Sequence, residues 1–185
     1  MNRPSPGEVI KRFRKNGGNV VFRYLRRDDL HDALEHINLL VKERAFIGNQ
    51  TIQTLEDEMK WISSSLKDMR EGKGVTIVVE INGRFAGFGS AKKKPHDANR
   101  HVCIIGIAIS KDFRGRGIGK ELLETLAQQA SDVLRCRLAE LSYQEHNTIA
   151  RRVYERCGFK EVGRIPSGCN HYGEYCDDVI MVREL

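Results

Sequence analysis

No apolar run in this 185-residue chain approaches the roughly 18–20 residues that a membrane-spanning helix needs. The opening Met1-Asn2-Arg3-Pro4-Ser5-Pro6 has no apolar stretch behind it of the kind a secretory signal requires. Those two absences make a cytoplasmic location, with no membrane partner, the expectation. There is also no C-x-x-C pair. The five cysteines (Cys103, Cys136, Cys157, Cys169 and Cys176) are odd in number and widely spaced, so they read as reduced thiols. A metal site built from Cys169, His171 and Cys176 is the sharper alternative. The missing C-x-x-C pairs count against it, and no metal is expected. Internal repeats and long linkers are absent too.

What is present is ordinary for a soluble globular protein: 40% hydrophobic and 30% charged residues, in a length that suits one domain with a real core. The net charge is +6, which attracts polyanions of any kind: nucleic acid, anionic membrane or a phosphorylated cofactor. The excess gathers at Arg3–Lys15, at Lys92-Lys93-Lys94 and around Arg114–Lys120. The first two clusters read as solvated surface. A nucleic-acid-binding module would need interleaved aromatics or a known motif, and neither is found, so nucleic acid stands only as a minor alternative.

Residues 1–19 read as a polar arm, broken from the rest by Gly17-Gly18-Asn19, and residues 20–185 as a single domain. Val20–Leu25 has the character of a strand. Asp28 is the expected N-cap of a first helix with apolar residues at Leu30, Ala33, Leu34, Ile37, Leu40 and Val41. Thr54 should cap a second, with its stripe at Leu55, Met59, Ile62, Leu66 and Met69. Strands Val75–Ile81 and Arg84–Ala91 flank Asn82-Gly83, the strongest short hairpin signal. His101–Ile109 is apolar on both faces and should lie centrally in a sheet. A long amphipathic helix follows from Ile118 to Leu134, then strand Arg137–Tyr143, then a short helix from Asn147 to Cys157 stopped by Gly158. Phe159–Ile165 and Asp178–Val182 are the last strands. This order predicts an α/β (mixed α+β) fold: a central, mostly antiparallel sheet of about seven strands flanked by four helices, with one crossover joining parallel strands.

The basic cluster at Arg114-Gly115-Arg116-Gly117-Ile118-Gly119-Lys120 stands between the central strand and the long helix. Glycine permits close backbone approach to a ligand, and the free N–H groups of a helix N-terminus favour an anion. Arg114, Arg116 and Lys120 add positive charge. Walker A fails here, because Arg114 stands where its first glycine belongs and Glu121 where Ser or Thr belongs. The dinucleotide fingerprint fails as well, since the glycines give G-x-G-x-G late in the chain. A glycine-rich connector without ligand remains the plain alternative.

Arg114–Gly119 resembles the R/Q-x-x-G-x-G/A signature of the GNAT superfamily of acyl-CoA-dependent N-acyltransferases. Asn147–Phe159 is similar to that family's second block, N-x-x-A-x-x-x-Y-x-x-x-G-F. The resemblance covers roughly Val20 to Leu185 and extends to the element order. It implies a GNAT-like fold that binds acetyl-CoA as acyl donor and transfers the acetyl group directly to an amine. Gly115, Arg116, Gly117, Ile118, Gly119 and Lys120 would hold the pyrophosphate. Ile107, Ala108 and Ile109 would pair by backbone with the pantetheine arm, and a main-chain N–H there would polarise the thioester carbonyl. Asn147 would bond the arm from the other side while also capping its helix. Tyr154 would be the general acid that protonates the departing thiolate. The acceptor would lie between the region of the first two helices and the last hairpin.

Many relatives place a glutamate base on the strand before the turn, but Cys103-Ile104-Ile105 holds no acid. Glu140 on the next strand is the candidate base, against a plain edge-strand glutamate. Glu43 is a candidate for binding a cationic amine, against a solvated helix residue. An acyl intermediate on Cys103 lacks any partner base. The partners expected are acetyl-CoA and a primary amine, with a homodimer left open. The absent strand acid supports one alternative function, a non-catalytic acyl-CoA sensor.

Overall fold

The computed structural model describes residues 3–185. Its elements are β1 (Val9–Lys15), β2 (Gly18–Tyr24), α1 (Leu30–Lys42), α2 (Leu55–Glu71), β3 (Gly74–Ile81), β4 (Arg84–Lys93), β5 (Val102–Ile109), α3 (Ile118–Asp132), β6 (Leu138–Gln144), α4 (Thr148–Arg156), β7 (Lys160–His171) and β8 (Glu174–Glu184). The strands form one eight-stranded sheet in the order β1-β2-β3-β4-β5-β6-β8-β7. Every neighbouring pair is antiparallel except β5 and β6, which the α3 crossover joins in parallel.

Helices cover both faces. Phe88 of β4 meets His36 of α1 at 5.6 Å and Trp61 of α2 at 4.8 Å. The next residue, Gly89, faces α3 instead, so closely that an added Cβ would stand 2.7 Å from Leu126. Successive strand residues point to opposite faces, so α1 and α2 lie on one side and α3 on the other. Ile77, Val78 and Val79 of β3 are accordingly all buried, as a strand covered on both faces should be.

Three expectations need correction. Residues 9–15 are not a free polar arm but the edge strand β1, hairpinned onto β2. Asn16 and Gly17 turn the chain with φ of 48° and 78°, the two positive values such a tight hairpin demands. Phe13 fixes the pairing by packing edge-on against Phe22 at 5.3 Å. The basic residues on either side hide this single apolar anchor in a sequence reading. The sheet thus has eight strands where about seven were expected. The last two strands are also longer than expected, because a bulge between Ile165 and Cys169 absorbs Pro166-Ser167-Gly168 and lets the ladder continue.

The first helix is anchored by Asp29 rather than capped by Asp28. Asp28 is exposed, whereas Asp29 is 1% exposed. Asp29 accepts from the two terminal guanidinium nitrogens of the buried Arg23, at 2.7 and 2.8 Å, and from the Arg26 amide at 2.9 Å. Arg23 also donates to Glu80 at 2.7 Å, so strands β2 and β3 and the start of α1 are tied at one buried point. Breaking a buried pair by removing one partner leaves an uncompensated charge, which typically costs about 3–5 kcal/mol. With Glu80 still in place, Asp29→Asn is expected to lower the unfolding free energy by about 2–3 kcal/mol. Urea denaturation of the two proteins checks this.

Candidate functional site

The candidate residues gather where β5 and β6 part. Their ladder holds only Val102↔Leu138, Cys103↔Ala139 and Ile104↔Glu140. Beyond Ile104, β5 keeps its other neighbour: Ile107, Ala108 and Ile109 pair with Gly89, Phe88 and Gly87 of β4. β6 meanwhile continues to Gln144 along β8. One edge of Ile107–Ile109 is therefore free of any strand partner. The Ser110 amide bonds to Ala86 of β4, and strand backbone alternates, so the amides of Ile107 and Ile109 face the opening.

The opening leads to the N-terminus of α3. Gly115 and Gly117 have φ of 72° and 73°, and the turn from Arg114 to Gly117 is exposed. The N-cap of α3 is Gly117, which offers no side chain to the first-turn amides. By contrast, Thr54 caps α2 and Asn147 caps α4 through their own side chains. A helix start with open amides, partial positive charge and nearby cations is chemically suited to an anion.

The individual residues of the turn divide their labour. Arg114 donates to the Ile109 carbonyl at 2.8 Å and pairs with Glu43 at the C-cap of α1. It thereby locks the end of β5 to the end of α1. Glu43, expected as an acceptor contact or a solvated residue, is the partner in that lock. Arg116 lies over the Phe113 ring at 5.8 Å, and Lys120 is exposed on the first turn of α3. Gly119 packs toward the strand: a Cβ there would meet Ile107 at an ordinary 3.6 Å.

Asn147 is half-buried, and its side chain accepts from the Ala150 amide at 3.1 Å, so its capping role is in place. Tyr154 sits on the buried face of α4, edge-on to Tyr143 of β6 at 5.9 Å and near Phe159 at 6.3 Å. Burial pushes its phenol up to about 12, because phenolate is disfavoured away from water. At neutral pH it is a protonated donor. Glu140 shares a register with Ile104 and therefore a sheet face with it. Its carboxylate is ion-paired with Lys94 at 2.6 Å. Tyr143 is three residues on, which puts it and Tyr154 on the opposite face. Acid and base candidates thus flank the opening from opposite sides.

Sequence reasoning missed several neighbours. Tyr143, which frames Tyr154, carried no motif. His36 reaches Ser110 at the end of β5, Nδ1 to Oγ 2.7 Å, and burial and Arg114 push its imidazole down to about 4. It is neutral at physiological pH. Neither His36 nor Ser110 bears a signature beyond its place in an apolar pattern. The tip of the β7–β8 hairpin also docks on the α1–α2 connection. Tyr172 donates its hydroxyl to the Val41 carbonyl at 3.0 Å and its amide to Gln50 at 3.1 Å, while His171 stacks on Phe46 at 4.5 Å. Gln144 Oε1 and His171 Nδ1 are buried without a hydrogen-bond partner in the protein. Cys169 and Cys176 are register partners across that hairpin. Among the described residues, no three His, Cys, Asp or Glu side chains form a metal-holding group. Nor, among the described residues, is any helix long and apolar enough to cross a membrane.

Known proteins resemble this chain in sequence and in fold. An uncharacterised N-acetyltransferase of Methanocaldococcus jannaschii is 33% identical over 109 residues, which are 58% of this chain and 64% of that protein. The spermine/spermidine N(1)-acetyltransferase of Bacillus subtilis is 29% identical over 102 residues, covering 55% of this chain and 62% of its own length. Both matches span less than two thirds of the relative. The solved structure of YncA from Salmonella typhimurium with its cofactor acetyl-CoA superposes with a TM-score of 0.79 at 19% identity, covering 89% of this chain and 93% of that one. Residues 38–159, which contain the open strand edge, the glycine turn and Tyr154, match the acetyltransferase (GNAT) family, and the chain belongs to it.

Proposed function

We propose that this chain is an N-acetyltransferase that moves the acetyl group of acetyl-CoA directly to a primary amine. The observation that carries the proposal is the continuous path from the free β5 edge to the uncapped start of α3. An extended pantetheine arm can pair with the amides of Ile107 and Ile109, while the pyrophosphate accepts from the turn between Gly115 and Lys120. A donor laid this way brings its thioester beside the last β5–β6 pair, between Tyr154 and Glu140.

Each group then has a task. A β5 amide donates to the carbonyl oxygen as it gains negative charge on attack. Collapse expels a thiolate, the Tyr154 phenol supplies its proton, and the phenolate is restored by the second proton that the acylated nitrogen must shed. An incoming ammonium must first lose a proton, and Glu140, directly or through water, is the carboxylate placed to take it. Glu140 stands beside Ile104, on the sheet face away from α3. Asn147 serves its helix and the arm together. The similarity to a spermine/spermidine N(1)-acetyltransferase of Bacillus subtilis and to an L-amino acid N-acyltransferase of Escherichia coli supports amine acceptors of these kinds. Peptide and protein amines complete the range.

The test is release of free thiol from acetyl-CoA in the presence of polyamines, amino acids, drug-like amines and peptides. At least one class is expected to raise the rate well above hydrolysis. A protein that binds acetyl-CoA yet acetylates nothing in such a panel is the non-catalytic sensor instead, a role that the lack of an acid in Cys103-Ile104-Ile105 would suit.

A further inference from the structure

The strand hidden in the basic N-terminus reaches the phosphate turn. Lys11, Phe13 and Lys15 alternate along β1 and share one face. Phe13 anchors that face to Phe22, and both lysines extend beyond it to α3. Lys11 and Lys15 each donate to the Glu121 carboxylate at 3.0 Å. At the hairpin tip, the Asn16 side-chain amide bonds to the Arg116 carbonyl at 3.4 Å. A Cβ built on Gly117 would stand 3.1 Å from Lys15 Cε and 3.2 Å from its Nζ. The hairpin thus meets the turn on both sides of the α3 N-cap, and a lysine head lies against the glycine that opens the helix.

We propose that Lys15 is a phosphate-binding residue for the coenzyme, delivered by β1 and held in waiting by Glu121. The inference rests on the acetyl-CoA reading above. An ammonium carries three donors, and one bond to Glu121 leaves capacity for a phosphate oxygen. Lys15 is half-buried, and its side chain is packed between strand and helix, so little freedom is lost on binding. Glu121 keeps two cations at the site without satisfying the α3 amides, which stay open for the anion. The N-terminal cluster therefore joins the turn's own Arg116 and Lys120 as one positive surface.

The experiment measures affinity for acetyl-CoA and for acetyl-dephospho-CoA, by titration calorimetry at low ionic strength, in wild type, Lys15→Met, Lys15→Arg and Glu121→Gln. Lys15→Met is expected to weaken acetyl-CoA binding about tenfold, the size of one charge-assisted hydrogen bond, and Lys15→Arg to retain most of it. Glu121→Gln, which removes the competitor for Lys15, is expected to tighten binding. If the Lys15→Met loss disappears with the dephospho analogue, the partner is the 3′-phosphate; if it persists, the pyrophosphate. Binding by Lys15→Met within twofold of wild type overturns the inference. Equal weakening in Lys15→Met and Glu121→Gln overturns it too, because the salt bridge would then act only as a brace. A wild-type chain that binds neither ligand removes the acetyl-CoA reading itself, a distinguishable failure.

Discussion

Tyr154→Phe is expected to cut turnover by about a hundredfold or more, the range over which positioned acids and bases act. Acetyl-CoA affinity should stay within about threefold. The substitution removes one oxygen and keeps the ring, so the edge-on packing against Tyr143 and Phe159 survives. Lost rate with kept affinity is the signature of a group that acts in the transition state rather than in binding. The pH profile adds a second check. A phenol pushed up to about 12 stays protonated across the working range, so wild-type turnover should show no alkaline fall from this group below pH 11 or so. Pre-steady-state acetyl transfer to any accepted amine measures both. An unchanged rate in Tyr154→Phe would take the tyrosine out of the mechanism.

Gly117→Glu is expected to raise the dissociation constant for acetyl-CoA by about two orders of magnitude or more, through blocked anion binding at the helix start. Gly117 has φ of 73°, a region that costs an L-residue about 1–2 kcal/mol, so some stability is lost as well. The larger effect is on the ligand. The new carboxylate would stand over the open amides of α3, beside Lys15, and would occupy the position of a phosphate while repelling one. Gly119→Ala is the paired control. Its Cβ would meet Ile107 at 3.6 Å, which is ordinary contact, and alanine favours a helix interior by about 0.5–1 kcal/mol. Binding should survive there, with a slightly higher melting temperature. Retained affinity in Gly117→Glu would mean that the turn is not the phosphate site.

The contrast between what the residues disclosed and what they hid has physical causes. The Asn147–Phe159 block was legible because it resembles a known family motif, and the glycine turn because the positive φ of Gly115 and Gly117 restricts residue type there. Asn82-Gly83 announced its hairpin for the same reason, with φ of 52° and 76°. β1 was not legible, since its burial rests on one phenylalanine and its other inward residues are lysines satisfied by a distant helix. The strand expected to end at Ile165 runs on through Pro166 to His171, since a bulge on an edge strand tolerates a missing donor. The buried Arg23–Asp29–Glu80 cluster joins residues 57 apart at its widest, and no local pattern encodes such a pairing. The relation of Glu140 to Ile104 is likewise a matter of register, which only the crossover length and packing decide.

The three-pair contact between β5 and β6 has a consequence for how the molecule should move. Backbone groups that an uninterrupted sheet would consume internally are here left to trade with water. On the proposed reading, the donor's amide-bearing arm fills the role of a short ninth strand, and the sheet is complete only in the complex. Amide protons on Ile107 and Ile109 should therefore exchange freely without donor and slow sharply with it, while those of β3, shielded on both faces, should hardly respond. Catalytic competence and closure of the sheet would then be the same event.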